Sequence, residues 1–207
     1  MPLPGEIAAI ILAGGQGIRL GGGDKPLREI AGRPMLDHVL ERLEGQAAEI
    51  AISANGEPRR LAGYGLPVIP DEAAGAGPLA GILSGMRWAK SLGVGRLLTV
   101  AGDTPFLPAD LALRLGEVGD SRIAVASSGG RRHPVFALWP VALEADLASF
   151  LSSSGTLSVM AFLEPLESVT VDFPFSLVGG KPLDPFFNVN TPEDLVQAAA
   201  IAAGLGT

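Results

Sequence analysis

Apolar runs that predict buried strands alternate along the chain with amphipathic stretches that predict helices. The run IAAIILA at 7–13 is short, rich in β-branched residues and followed by glycines, as is typical of a buried strand. Residues 33–45 carry their apolar side chains on one helical face, with Pro34 at the start and Gly45 just past the end. This βαβ alternation predicts an α/β fold in which a parallel sheet is covered by helices on both faces.

The same rhythm continues to about residue 128 and becomes less regular after it. The final helix is predicted to begin at Pro192, with Thr191 as its N-cap and acidic residues in its first turn. No repeat, low-complexity tract or linker divides the chain, so we expect one domain over 1–207. Further strands are predicted at 49–55, 66–72, 96–103, 122–127, 133–140 and 168–173, and further helices at 77–93, 108–119, 142–151 and 156–166.

Composition narrows the class of partner. The formal net charge of −7 argues against a nucleic-acid or membrane-surface binder, because such proteins present a positive surface. Cysteine is absent, which excludes disulfides and a cysteine nucleophile. No apolar run approaches the roughly 20 residues of a membrane span, and no charged segment precedes the first apolar run as in a signal peptide. We therefore expect a cytoplasmic protein.

A glycine-rich loop follows the first predicted strand, in the stretch ILAGGQGIRLGGGDKPL at 11–27. Six glycines occupy the ten positions from Gly14 to Gly23, where they would let backbone N–H groups approach a ligand closely. The spacing matches neither a Walker loop nor a GxGxxG fingerprint, so a flexible turn is an alternative. Arg19 and Lys25 lie in this loop, and two cations beside free N–H groups favour a polyphosphate site.

Carboxylates lie where other predicted strands end, which is where open α/β sheets bind ligands. Asp103 follows a buried strand and is a candidate Mg²⁺ ligand, since Mg²⁺ takes one or two carboxylates together with phosphates and water. The alternative for Asp103 is a turn residue. Asp71 ends another strand, close to a predicted helix N-terminus at Gly77, Pro78 and Leu79, whose N–H groups could bind an anion or simply be capped.

Two polar groups in the second half of the chain are further candidates. Asn188 and Asn190 are turn residues by default, but would complete a metal or nucleotide site if their loop folds back toward Asp103. Arg131 and Arg132, followed by a histidine, form a basic run in an acidic protein. This run either binds an anionic acceptor or is a solvated hairpin tip.

These stretches resemble a known family, the molybdenum cofactor guanylyltransferases, or MobA-type nucleotidyltransferases. The resemblance is collinear from residue 7 to 195 and is weak between about 141 and 180. The combination of LAGG, GPLAG, GDTP and NVNTPE is more specific than any one of these motifs. The stretches that carry the resemblance are ILAGGQGIRLGGGDKPL, GRPMLDHV, VIPDEAAGAGPLAGILSGM, AGDTPFLP, HPVFAL and FFNVNTPEDL.

The resemblance implies a three-layer Rossmann-like nucleotidyltransferase fold with a mostly parallel sheet. It also implies transfer of GMP from GTP to the terminal phosphate of molybdopterin, with Mg²⁺, and release of pyrophosphate. About 1–128 would bind nucleotide and about 129–207 the acceptor. Lys25, Arg19 and Asp103 would be catalytic, with the metal on Asp103. The implied nucleotide contacts are Leu12, Ala13, Gly14, Gly15, Lys25, Ser53, Asp71, Gly77, Pro78, Leu79 and Asp103, and the acceptor contacts are Arg131, Arg132, His133, Asn188 and Asn190.

Several alternatives stay open at this point. Ser53 stands where the family often has asparagine, and Asn55 lies two residues further on. A cytidylyltransferase usually has LAAG in place of LAGG and lacks GPLAG, so guanine is the expected base. A sugar-phosphate nucleotidyltransferase, or a non-catalytic carrier of GTP or the pterin cofactor, is a further alternative. Molybdoenzymes or other proteins of cofactor biosynthesis are possible partners.

Overall fold

A seven-stranded sheet runs through the centre of the molecule. The structure, a computed structural model, describes residues 6–14, 24–71, 77–153 and 157–205. Its strands are β1 (Ile7–Leu12), β2 (Glu29–Ile30), β3 (Arg33–Pro34), β4 (Glu49–Ser53), β5 (Val68–Ile69), β6 (Arg96–Ala101), β7 (Ile123–Ser128), β8 (Arg131–Pro140), β9 (Ser168–Asp172), β10 (Ser176–Val178) and β11 (Lys181–Leu183). Its α-helices are α1 (Met35–Leu43), α2 (Pro78–Ser91), α3 (Leu111–Gly116), α4 (Glu144–Ser153), α5 (Val159–Leu163) and α6 (Pro192–Leu205).

The sheet has the strand order β5-β4-β1-β6-β8-β7-β9. Neighbouring strands pair in parallel except at β8, which is antiparallel to both β6 and β7. The prediction of a mostly parallel sheet is therefore confirmed. Because β8 inserts between two strands of the first 128 residues, both parts of the chain contribute to this sheet.

Helices cover both faces of the sheet, which completes the three layers expected of a Rossmann-like fold. Alternate residues of β1 show the division, since Ala9 and Ile11 face the cluster that includes α1 and α3, whereas Ala8 and Ile10 face α2, α4 and α5. All four of these residues are fully buried. Burial of apolar area on both faces is the main stabilising contribution, at roughly 25 cal/mol per Å².

The chain between β7 and β8 makes a tight hairpin. Its two turn residues, Gly129 and Gly130, both have positive φ, of 54° and 78°. A two-residue turn of this kind matches the twist of the flanking strands and strongly favours glycine. The basic residues 131–133 therefore lie at a hairpin, as one of the two sequence interpretations expected.

Two small hairpins, which sequence patterning did not predict, pack with the predicted last helix beside the sheet. The hairpins are β2–β3 and β10–β11, and α6 packs against β2 and β10. Thr191 caps α6 as predicted, because its hydroxyl accepts from the Asp194 N–H at 3.2 Å while the Asp194 carboxylate accepts from the Thr191 N–H at 2.9 Å. Within the described ranges, no helix has the length and apolar character needed to cross a membrane.

Close packing of α2 on the sheet predicts a stability effect at Gly85. A Cβ there would lie 2.8 Å from Ile10 Cγ2 and 3.0 Å from Leu97 Cδ2, both of which are buried core side chains. We expect Gly85→Ala to lower the free energy of unfolding by about 1–3 kcal/mol through overpacking. Urea denaturation would measure this change.

Gly63→Ala is the matched control. The same substitution at Gly63 meets no heavy atom within 4 Å and requires no positive φ. We expect it to leave stability unchanged or slightly raised. Equal stabilities of the two variants would contradict this account of the helix–sheet packing.

Candidate active site

The carboxyl ends of the parallel strands line one cavity of about 500 Å³. Sheet register explains the convergence, since Leu12 of β1 pairs with Ser53 of β4 on one side and with Ala101 of β6 on the other. The cavity is lined by Leu12, Gly14, Ser53, Asn55, Asp71, Gly77, Pro78, Gly81, Ala101, Asp103, Val135 and Asn188. Most of the described residues predicted to bind nucleotide therefore share one cavity.

Asp71 is the acidic group at one end of this cavity. Its Oδ1 accepts a hydrogen bond from the Ser53 hydroxyl at 2.6 Å, and its Oδ2 accepts from the Asn55 side-chain amide at 2.8 Å. Asn55 Oδ1 in turn accepts from the Asp71 backbone N–H at 3.0 Å. Two hydrogen bonds thus hold the carboxylate, and a third holds the Asp71 backbone, so that the end of β4 and the loop after it are connected to the segment after β5.

Lys25 lies behind the other end of this cavity, where the lining residues Asp103 and Asn188 contact it. Its ammonium forms an ion pair with Asp103 and donates to Asn190 Oδ1 at 2.6 Å and to Asn188 Oδ1 at 3.3 Å. Lys25 is only 8% exposed, so the charge is largely withdrawn from water. We call Lys25, Asp103, Asn188 and Asn190 the lysine site.

The lysine site depends on the loop before α6 folding back onto the loop after β6. The Val189 N–H donates to the Asp103 carbonyl at 3.0 Å, which places the asparagines on either side of Val189 against Lys25. The expected approach of Asn188 and Asn190 to Asp103 is therefore what the structure has. Whether these asparagines bind the acceptor, as predicted, stays a prediction.

Close packing leaves no room for a side chain at Gly81, which lies in the first turn of α2. A Cβ there would lie 2.6 Å from Leu12 Cδ2 and 2.7 Å from Ser53 Oγ. Glycine at this position therefore lets α2 approach the cavity wall. The adjacent Leu79 is fully buried in the core, so its side chain does not line the cavity.

One further predicted contact, Ala13, offers little that a ligand could reach. Ala13 is buried, and its N–H already donates to the Ser53 carbonyl at 2.8 Å. Gly15 and Arg19 lie outside the described residues. Ala101 and Val135 also line the cavity, within the stretches AGDTPFLP and HPVFAL, although no contact was predicted for either residue.

The basic run at the start of β8 does not form one patch. Side chains alternate along a strand, so Arg132 points to the opposite face of the sheet from its two neighbours. There it donates to Ser168 Oγ at 2.9 Å and borders a different cavity, beside α5. The expectation of a joint site for Arg131, Arg132 and His133 is corrected in this respect.

His133 faces the α1 side and joins a hydrogen-bonded chain. The Ser128 hydroxyl donates to Asp184 Oδ1 at 2.7 Å. His133 Nε2 lies 2.7 Å from Ser128 Oγ, and because the hydroxyl proton is already used, Nε2–H donates to Ser128 Oγ. The ring packs on Phe186, with 4.6 Å between the ring centroids. Burial lowers the pKa of His133, with Asp184 acting in the opposite direction and Arg131 lowering it further.

A cavity at the carboxyl edge of a mostly parallel sheet is where open α/β proteins bind their ligands, and this chain is of that class. The MobA-like NTP transferase domain model matches residues 9–169, and the chain belongs to that family. A molybdenum cofactor guanylyltransferase from Bradyrhizobium sp. (strain ORS 278) is 47% identical over 203 residues, covering 95% of this chain and 93% of its own. Another, from Mesorhizobium japonicum, is 48% identical over 201 residues, covering 95% and 96%.

A solved structure supports the fold independently. The molybdopterin-guanine dinucleotide biosynthesis protein A from Archaeoglobus fulgidus superposes with a TM-score of 0.74 at 23% identity. The match covers 95% of this chain and 98% of that one. The Rossmann-like nucleotidyltransferase fold is thereby confirmed.

The environment of His133 predicts a pH dependence of stability. The pKa of His133 in the folded protein is below the ordinary 6.5. Between the folded and unfolded pKa values, the unfolded chain therefore binds more protons than the folded protein does. Stability should therefore fall as the pH is lowered through 6.5. We expect the free energy of unfolding to fall more steeply for the wild type than for His133→Gln between pH 7.5 and 5.5, by urea titration. Parallel pH profiles would contradict this.

Proposed function

We propose that this protein transfers GMP from GTP to the terminal phosphate of molybdopterin and releases pyrophosphate. The observation that carries the proposal is one cavity with the Asp71 carboxylate on one side and, on the other, the Asp103 carboxylate paired with the Lys25 ammonium. A nucleoside triphosphate fits these two sides, since its base can offer hydrogen-bond donors to Asp71 and its phosphates can meet Lys25 and a metal ion on Asp103. The two relatives described above are molybdenum cofactor guanylyltransferases by name, which supports guanine and the molybdenum cofactor.

The Asp71 end suits guanine. An ionised carboxylate only accepts hydrogen bonds, and each of its oxygens can accept more than one. Ser53 and Asn55 each take one oxygen of Asp71, which leaves further acceptor capacity on the cavity side. Guanine presents two adjacent donors, N1–H and the N2 amino group, whereas adenine and cytosine present an acceptor beside their amino group. The site therefore favours GTP.

The lysine site suits the phosphates. In the proposed reaction an oxygen of the acceptor phosphate attacks the α-phosphorus of GTP, the bond from that phosphorus to the bridging oxygen breaks, and pyrophosphate leaves. The attacking oxygen is already anionic, so no protein nucleophile is needed. Lys25 would bind and neutralise phosphate oxygens, and positioning with electrostatic stabilisation would supply the catalysis.

The residues of the lysine site fit Mg²⁺. One cation, the Lys25 ammonium, is contacted by the carboxylate of Asp103 and the amide oxygens of Asn188 and Asn190. Carboxylate and amide oxygens are also the ligands that Mg²⁺ prefers. Within the described ranges no group of three or more acidic or histidine side chains could hold a metal by itself. We therefore propose Asp103 as the protein ligand, with phosphates completing the shell. When bound, Mg²⁺ would neutralise charge on the phosphates.

The acceptor side is proposed more coarsely. We propose molybdopterin as the acceptor, bound mainly by residues from about 129–207, with Asn188, Asn190, Arg131 and His133 as candidate contacts. Arg132 is not included, because it faces the other side of the sheet. We also propose a cytoplasmic location, consistent with the absence of cysteine and the net charge of −7. Delivery to a molybdoenzyme is the natural next step.

The direct test is pyrophosphate release from a panel of GTP, CTP, ATP and UTP. We expect release from GTP only, requiring both molybdopterin and Mg²⁺. Release from CTP would indicate a cytidylyltransferase, and release with a sugar phosphate would indicate that other class. GTP binding without any release would indicate a carrier, and each of these results would contradict the proposal.

Asp103→Asn is the matched variant for this assay. It has nearly the same size and shape but lacks the charge that binds Lys25 and would bind Mg²⁺. Loss of one such electrostatic contact typically lowers turnover about 10²–10³-fold. We expect a loss of at least this size with an unchanged circular-dichroism spectrum. Near-normal turnover would remove Asp103 from the reaction.

A further inference from the structure

Arg60 makes one ion pair and two hydrogen bonds that connect separate parts of the chain. Its Nε lies 2.5 Å from Asp24 Oδ2. Its Nη1 donates to the Glu57 carbonyl at 2.7 Å, and its Nη2 donates to the Asn55 carbonyl at 2.7 Å. The guanidinium thus contacts three different oxygen groups through its three nitrogens, which its planar fork of donors favours.

The segments that Arg60 joins lead to opposite ends of the cavity. Asp24 directly precedes Lys25, whose ammonium is the centre of the lysine site. Asn55 holds the Asp71 carboxylate by its side chain while its carbonyl accepts from Arg60. We infer that Arg60 is a positioning residue for nucleotide binding, which fixes the Asp71 end of the cavity relative to the lysine site.

The short helix that carries Arg60 makes it a firm anchor. A 3₁₀ helix spans Pro58–Tyr64, and its Leu61 is 2% exposed in the core. At its far end the Tyr64 hydroxyl donates to Asp37 on α1 at 2.8 Å. Gly56, with φ of +88°, gives the loop before the helix a conformation that other residues rarely adopt. The arginine therefore reaches Asp24 from a fixed base.

The consequence rests on the proposed function, in which one GTP spans both ends of the cavity. If the two ends of the cavity are not already fixed relative to each other, part of the binding free energy of GTP is used to bring them into place. Loss of a charge-assisted contact of this kind should weaken GTP binding about tenfold. The rate of the bound complex should change much less, since Arg60 does not itself line the cavity.

The experiment measures the Kd of GTP with Mg²⁺ by isothermal titration calorimetry for Arg60→Gln, Asp24→Asn and the double variant. We expect each single variant to bind about tenfold more weakly and the double variant to bind no more weakly than Arg60→Gln, because that variant has already lost the Asp24 contact. Arg60→Lys should recover part of the affinity. Arg59→Gln is the control, since Arg59 is exposed and its side chain contacts no partner among the described residues.

The possible outcomes separate this inference from the proposed function. Three results would overturn the inference: unchanged affinity in Arg60→Gln, equal weakening in Arg59→Gln, or additive losses in the double variant. If the wild type still binds GTP, the proposed function is unaffected by these results. A purely structural role would lower the melting temperature without raising the Kd of the folded protein, and that result would also overturn it. A wild type that binds no GTP would overturn both.

Discussion

The ion pair between Lys25 and Asp103 is the interaction on which the site is built. It joins the segment after β1 to the loop after β6, and the two asparagines before α6 add a third part of the chain. Both charges are largely buried, and removing one partner of a buried pair typically costs about 3–5 kcal/mol because the other is left uncompensated. The arrangement is therefore stable only when all three segments are in place.

On the other side of the cavity, hydrogen bonds hold the Asp71 carboxylate in place, away from the Lys25–Asp103 pair. Asp71 is held by Ser53 and Asn55, which lie on or just after β4. Sheet register fixes β4 relative to β1. Beyond the ends of these strands, Arg60 connects the loop after β4 to Asp24, which precedes Lys25. The Asp71 carboxylate and the Lys25–Asp103 ion pair are thus kept at opposite sides of one pocket, so that a ligand with different groups at its two ends is oriented as it binds.

Much of this could be predicted from the sequence because glycine and proline mark the ends of the elements. The first strand was expected at 7–13 and is Ile7–Leu12, and the helix expected at 77–93 is Pro78–Ser91. The reversed direction of β8 could not be predicted, because alternation reveals a strand and not its orientation. Strand alternation could have separated Arg132 from His133, but their adjacency suggested a patch. The pairing of Arg60 with Asp24 depends on tertiary structure and carries no motif.

A crystal structure with α,β-methylene GTP and Mg²⁺ tests the central claim most directly. The bridging carbon prevents cleavage at the α-phosphate, so the bound ligand would report where each end of the nucleotide lies. The account predicts guanine within hydrogen-bonding distance of Asp71 and the phosphates against Lys25. A base at the lysine site, or a nucleotide bound outside this cavity, would contradict it.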